Sequence, residues 1–194
     1  MNAYRFLSAT VLACTFCGMA QAQPAFDCND AEGEVEILIC NDEALQALDR
    51  TLAITYARAM QNLPEADHAS ERAMQRGWIK GRNDCWKADD VGTCVTYSYQ
   101  TRIVELQIRS GALEAPAFVT LRCEQEPDKR FTASFYNATK PRSVVLTLDN
   151  DQVIAFVTPS ASGARYQANG VDFWTKGQEA SVEWFGTSLK CSLP

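Results

Sequence analysis

The chain has 194 residues, of which 18 are Lys or Arg, 24 are Asp or Glu and one is His, and its formal net charge at pH 7 is −6. This acidic balance argues against nucleic-acid binding, which needs clustered positive charge, and suits a basic partner. The length allows one large domain or two small ones.

The first 22 residues predict a signal peptide. Arg5 supplies positive charge, residues 6–19 form an apolar run, and Ala20-Gln21-Ala22 has the small-x-small pattern of a cleavage site. The run is too short to favour a membrane-spanning helix, and neither Cys14 nor Cys17 lies in a good lipidation sequence. We therefore expect a soluble periplasmic protein, with secretion and lipoprotein attachment as alternatives. Removal of the leader takes away Arg5 and no acid, so the net charge falls from −6 to −7.

Six cysteines follow the leader, and an even number in an exported chain predicts disulfides, with fifteen formal connectivities. No CxxC pair occurs among them, and the single histidine, His68, lies far in sequence from any cysteine. We therefore predict no metal site and no cofactor. The six are Cys28, Cys40, Cys85, Cys94, Cys123 and Cys191.

Residues 23–113 favour helices and lack the alternation of strands. Asn41-Asp42 can cap a helix whose apolar residues recur at spacings of three and four until Pro64 ends it. A second helix is predicted from about Asp67 to Arg82, and a third after Asp89-Asp90. The pattern predicts a small helical bundle, whose modest core needs disulfide staples.

The four cysteines of this half allow several pairings. We favour links from the Cys28–Cys40 region to Cys85 and Cys94, because links between helices restrict the unfolded chain more than short local loops do. The sequence does not distinguish Cys28–Cys85 with Cys40–Cys94 from the crossed alternative. The local pairing, Cys28–Cys40 with Cys85–Cys94, is also left open.

A set of motifs spans nearly all of residues 26–108, and it comprises Phe26-Asp27-Cys28, Ile39-Cys40, Leu48-Asp49, Tyr56, Gln75-x-x-Trp78, Arg82-Asn83-x-Cys85, Tyr97 and Arg102-Ile103-x-x-Leu106. With these motifs the half resembles the exported helical domain named after the lysozyme inhibitor LprI. Most of them are cysteines and core residues, which report fold better than function.

One stretch of this half could present a binding face, formed by Trp78, Lys80, Arg82 and Asn83. The simpler interpretation is a core tryptophan beside solvated charges. Asp49 is expected to be a surface or capping acid.

Helical periodicity stops between Ser110 and Ala117, which places a domain boundary near residue 114. Short alternating strands follow, and their number implies a sandwich or barrel. Cys123 and Cys191 lie at the two ends of this region, so a bridge between them would close almost all of it. The fold class is therefore α+β with two domains: a disulfide-stapled helical bundle over residues 23–113 and a small antiparallel β-barrel over residues 114–194.

Asn169-Gly170 predicts a two-residue β-hairpin turn of type I′. In that register Tyr166 opposes Phe173 and Ser162 opposes Gly177, so Ser162 and Lys176 meet at the open end. Strict alternation would put these two on opposite faces. The Ser162-Gly163 step must therefore bend if both serve one site.

Ser162-Gly163-Ala164-Arg165-Tyr166, followed by Phe173-Trp174-Thr175-Lys176-Gly177-x-Glu179-Ala180, resembles the signature of the bacterial inhibitors of c-type lysozyme known as MliC and PliC. The resemblance implies a small β-barrel and c-type lysozyme as partner. It also implies that Ser162 and Lys176 enter the lysozyme cleft and contact its two catalytic carboxylates. Tyr166 is a supporting contact in this interpretation, and the adjoining Gly163, Arg165 and Thr175 complete the predicted lysozyme-binding set.

A serine beside a lysine also suggests hydrolysis, but the chain has neither the Ser-x-x-Lys spacing nor a Gly-x-Ser-x-Gly elbow. We therefore predict a non-catalytic inhibitor, and for the hairpin aromatics we favour core packing over direct contact. The alternative is an envelope binding or scaffolding module whose helical half recognises another protein or a wall fragment. The oligomeric state is left open.

Overall fold

The structure, a computed structural model, describes residues 23–194, so the predicted signal peptide lies outside the described residues. Four α-helices come first and eight antiparallel strands follow as a closed barrel. This architecture confirms the predicted α+β class, a helical bundle followed by a β-barrel. No helix between residues 23 and 194 is both long enough and apolar enough to cross a membrane.

The helices are α1 (Gly33–Asn41), α2 (Glu43–Asn62), α3 (His68–Asn83) and α4 (Val91–Arg109). The Asp42 side chain caps α2 by accepting from the backbone N–H groups of Ala44 and Leu45, and Asp90 caps α4 in the same way through Thr93. The three predicted helices are therefore confirmed. Helix α1 escaped prediction because its nine residues bury only Val35 and Ile39, too few to show a helical period.

The disulfides of the helical half are local, and the favoured links between distant regions are wrong. Cys28 pairs with Cys40 and Cys85 with Cys94, over sequence separations of 12 and 9 residues. Each bridge joins a short 3₁₀ segment to a neighbouring α-helix, Cys28–Asp30 to α1 and Asp84–Lys87 to α4. Each bridge therefore fixes a 3₁₀ segment against the helix that follows it in the chain. The four helices are held to one another by side-chain packing.

A buried polar network lies inside the helical half. Tyr99 donates from its hydroxyl to Asp49 Oδ1 over 2.8 Å, and Arg82 Nη1 donates to the same hydroxyl oxygen over 2.8 Å. Asp49 Oδ2 also accepts from the backbone N–H of Ala25 at 2.6 Å. Asp49 is only 7% exposed and Arg82 only 4%. The expectation that Asp49 is a surface or capping acid is therefore wrong, because it is a buried acceptor that joins three parts of the chain.

The face predicted around Trp78 is divided between core and surface. The Trp78 ring packs edge-on against Tyr99, and its indole N–H donates to the carbonyl of Ser98. Arg82 belongs to the buried network, whereas Lys80 is exposed. Trp78 therefore packs on the core as expected, but the charges beside it are not all solvated.

Tyr99→Phe is expected to lower the free energy of unfolding of the helical half by about 2 kcal/mol, because it removes one hydrogen bond to each of two charged groups. Thermal or urea unfolding would measure this loss. Tyr56→Phe is the matched control, because Tyr56 packs on the same core and makes no hydrogen bond through its hydroxyl to any residue of the described chain. Equal stability of the two variants would contradict a stabilising network.

The barrel consists of strands of five to eight residues, each paired antiparallel to the next. It closes where β1 pairs with β8, and there Cys123 faces Cys191 and forms the predicted disulfide. Inward residues alternate with outward ones and fill the interior. The strands are β1 (Val119–Cys123), β2 (Phe131–Tyr136), β3 (Ser143–Leu148), β4 (Asp151–Thr158), β5 (Ala164–Ala168), β6 (Val171–Lys176), β7 (Glu179–Trp184) and β8 (Thr187–Ser192).

The helical half packs on the outer face of β3 and β4. Val145, Ile154 and Phe156 point out of the barrel and are buried together with Val104 of α4. Tyr97 of α4 packs edge-on against Phe156, and its hydroxyl donates to the carbonyl of Ile154 over 3.0 Å. These strands are therefore covered on both faces, by the barrel core on the inside and by the helical half on the outside.

Candidate functional site

The hairpin of β5 and β6 has the predicted register, with Ala164 opposite Thr175, Arg165 opposite Trp174 and Tyr166 opposite Phe173. The turn falls at Asn169-Gly170 as predicted, but only Gly170 has a positive φ, +75°. A type I′ turn needs positive φ at both central residues, so that assignment is wrong. The neighbouring β7–β8 turn packs here, since the Phe185 N–H donates to the Gly170 carbonyl over 2.7 Å.

Strand pairing on the open side of the hairpin ends at Ala164, because the chain bends at Gly163, whose φ is +69°. A Cβ at this position would clash with the carbonyl oxygen of Thr175 and lie 3.0 Å from Lys176 Cβ. Only glycine allows both the backbone conformation and this close approach. The bend that one shared site for Ser162 and Lys176 would need is therefore present, and it replaces the expected pairing of Ser162 with Gly177.

Ser162 and Lys176 are both exposed and flank this close contact. The Ser162 carbonyl accepts two hydrogen bonds, from Trp174 Nε1 and from Ser160 Oγ, each at 2.8 Å. Among residues 23–194, no carboxylate lies within ion-pair distance of Lys176 Nζ, and the Ser162 hydroxyl makes no hydrogen bond. A protonated ammonium offers three donors and a hydroxyl one, so the pair can bind carboxylates of another molecule.

Two other predicted site residues are engaged within the hairpin. Arg165 binds the carboxylate of Asp172 on β6 through Nε at 2.9 Å and Nη2 at 2.5 Å, and this guanidinium lowers the pKa of Asp172. Thr175 donates from its hydroxyl to the Glu179 carbonyl over 3.2 Å across the β6–β7 turn. Both therefore have a role in shaping the hairpin.

Tyr166 lies inside the barrel and is 4% exposed. Its ring stacks on Phe173 and meets Phe135 edge-on, and burial raises its pKa. Such burial favours packing under the hairpin, which was the expectation for Tyr166 as a hairpin aromatic. It argues against the direct contact with lysozyme that the resemblance implies for Tyr166.

A polar groove of about 490 Å³ lies beside Ser162 on the outer face of β5, β6 and β7. One wall is the loop of residues 159–162, and the floor is formed by Arg165, Asp172, Trp174, Ser181 and Glu183. Trp174 was grouped with the hairpin aromatics expected to pack in the core, and that expectation is wrong for it, because Trp174 lies on the outer face of β6 and is only partly buried. The available signal was its outward position in strict alternation, because Phe173 points into the core and Trp174 therefore does not.

Two family models match the chain in series. The one described as lysozyme inhibitor LprI matches residues 28–111, and the one described as membrane-bound lysozyme-inhibitor of c-type lysozyme matches residues 122–190.

Within residues 23–194, no three His, Cys, Asp or Glu side chains form a group that could hold a metal ion.

Curated relatives match either most of the chain or about a third of it. Lipoprotein LprI of Mycobacterium tuberculosis is 36% identical over 170 residues, which cover 88% of this chain and 84% of that protein. Lipoprotein LprI of Mycobacterium bovis shows the same identity and coverage. A membrane-bound lysozyme inhibitor of C-type lysozyme from Cupriavidus necator is 31% identical over 67 residues, 34% of this chain and 54% of that protein. No solved structure matches the chain.

Proposed function

The chain belongs to the family of lipoprotein LprI, and from this membership we propose that it is a protein inhibitor of c-type lysozyme. The second family model, named for inhibition of c-type lysozyme, covers the β-hairpin that carries Ser162 and Lys176. The protein would bind the enzyme and block peptidoglycan hydrolysis without catalysing a reaction itself. Its relatives are named as a lipoprotein and a membrane-bound inhibitor, so we place its action in the cell envelope, in the periplasm as the leader predicts.

The inhibitory contact in this proposal is made by Ser162 and Lys176 inside the lysozyme cleft. A retaining glycosidase holds its two carboxyl groups roughly 5 Å apart. One lysine ammonium can donate to both groups, and the serine hydroxyl adds a further donor. The observation that carries the proposal is that Gly163 brings the Ser162 loop against the backbone at Lys176, with both side chains exposed.

Charge supports the choice of partner. The chain is acidic, with a formal net charge of −6, and c-type lysozymes are usually basic. Most of the acidic excess lies in the helical half, which packs on the outer face of β3 and β4. The helical half would therefore attract the enzyme at long range while the barrel provides the specific contact.

A second candidate function concerns the helical half, because the LprI model matches residues 28–111 and includes neither Ser162 nor Lys176. This half could recognise another envelope protein or a wall fragment. The candidate predicts binding that persists when the hairpin is disabled.

The test is inhibition of cell-wall lysis by a c-type lysozyme in the presence of the oxidised mature protein, followed by turbidity. We expect inhibition that saturates at one inhibitor per enzyme, with chemically reduced, unfolded protein as the inactive control. A folded, oxidised protein that does not inhibit would contradict the proposal and direct attention to the helical half.

A further inference from the structure

We propose that Trp174 is a positioning residue that holds Ser162 in its binding geometry, an inference that rests on the proposed function. The indole Nε1 of Trp174 donates to the Ser162 carbonyl over 2.8 Å, across twelve positions of sequence. The bond joins the second residue of the second motif to the first residue of the first motif. It is a side-chain link between strand β6 and the Ser162 loop.

The Ser162 carbonyl has both of its lone pairs in use. Trp174 supplies one donor, and the Ser160 hydroxyl supplies the other, also at 2.8 Å. A carbonyl oxygen accepts two hydrogen bonds, so this one is saturated. The peptide plane between Ser162 and Gly163 is therefore held in one orientation, which restrains the backbone that carries the Ser162 side chain.

Such a restraint is needed because the next residue is glycine. Gly163 lacks a Cβ and is left-handed, with φ +69°, so its own backbone does little to limit the loop. Without the indole bond the loop would sample other orientations, and binding would have to order it again. Pre-ordering of a loop raises affinity by removing that cost.

Trp174 is well placed to be a rigid anchor. Its backbone lies in a paired strand, with Arg165 opposite on β5 and Ser181 opposite on β7. Alternation directs Trp174 and Lys176 to the same outer side of β6. Strand β6 therefore presents the Lys176 ammonium. Two residues before it, Trp174 holds the loop that presents the Ser162 hydroxyl.

A double-mutant cycle tests this role, because a residue that acts through Ser162 loses its effect when the hydroxyl is absent. Trp174→Phe keeps an aromatic ring and removes the donor, and it is combined with Ser162→Ala. We expect Trp174→Phe alone to weaken lysozyme binding about 10-fold, and by less than about 2-fold in the Ser162→Ala background.

Two further variants strengthen the test. Ser160→Ala removes the second donor from an exposed residue, and we expect a smaller loss of binding that also disappears in the Ser162→Ala background. Trp78→Phe is the matched control, because it removes an indole bond to a backbone carbonyl in the helical half. It should leave lysozyme binding unchanged.

The outcomes separate this inference from the proposed function. If the unmodified protein binds lysozyme and Trp174→Phe weakens binding equally with and without the Ser162 hydroxyl, then Trp174 contacts the enzyme directly and the positioning role is wrong. Full binding by both Trp174→Phe and Ser160→Ala would likewise overturn it. Absence of inhibition by the unmodified protein would instead overturn the proposed function.

Discussion

Lys176→Ala is expected to raise the inhibition constant against c-type lysozyme at least 30-fold while the melting temperature stays unchanged. Truncating one partner of a desolvated, hydrogen-bonded charge pair costs about 2–5 kcal/mol, and about 2 kcal/mol already corresponds to roughly 30-fold. Lys176 is exposed, and no carboxylate among residues 23–194 forms an ion pair with it, so its removal breaks no charge pair in the described part of the fold.

The measurement is a pair of inhibition and thermal-unfolding curves on the oxidised mature protein. Lys190→Ala is the matched control, because Lys190 is an exposed lysine on strand β8 of the same barrel. It removes the same charge and should inhibit like the unmodified protein. A melting temperature that falls together with affinity would make Lys176 structural, and an unchanged inhibition constant would exclude the proposed insertion of Lys176. Residual binding at high protein concentration would favour a second surface on the helical half.

Replacing both Cys123 and Cys191 by serine is expected to destabilise the barrel by about 4 kcal/mol, because the bridge closes a long loop in the unfolded chain. The sequence separation is 68 residues, against 12 for Cys28–Cys40. The bridge also joins the two strands with the fewest paired residues, because β1 and β8 share two residue pairs, while β2 and β3 share six. Unfolding of this double variant should begin at a lower temperature, with loss of inhibition in the same range.

The double variant Cys28→Ser with Cys40→Ser is the natural comparison. Its shorter loop predicts a smaller loss of about 3 kcal/mol, and that loss should fall on the helical half. Calorimetry and inhibition assays after heating would distinguish the two effects. If the barrel variant melts like the unmodified protein, hydrogen bonding and core packing close the barrel without the disulfide.

Local signals in the sequence were enough for most of the secondary structure. Capping by Asp42 and Asp90 depends on residues within one helical turn, and Asn169-Gly170 marks a turn between two alternating strands. These features are fixed by neighbours along the chain, so helices α2 to α4 and the hairpin register could be predicted. The pairing of Cys123 with Cys191 was equally accessible, because no other cysteines lie in that half.

The features that escaped prediction depend on residues distant in sequence. Asp49 looked like a surface acid, yet Tyr99, 50 residues away, donates to it in the core. The outward Val145, Ile154 and Phe156 are covered by α4, and the continuous apolar run of residues 153–157 was the one signal of this double burial. The local disulfides followed from where α1 and the 3₁₀ segments place the cysteines, which entropy arguments alone do not show.

The sequence by itself determined the two-part architecture, the hairpin and the candidate pair Ser162 and Lys176, because short-range periodicity and motif spacing carry that information. The tertiary structure decided how the pair is presented. The bend at Gly163, the approach of the loop to Thr175 and the indole bond from Trp174 arise only when two strands pack side by side. A side chain's direction is set by contacts across the fold, and those contacts become visible only when the strands are in place.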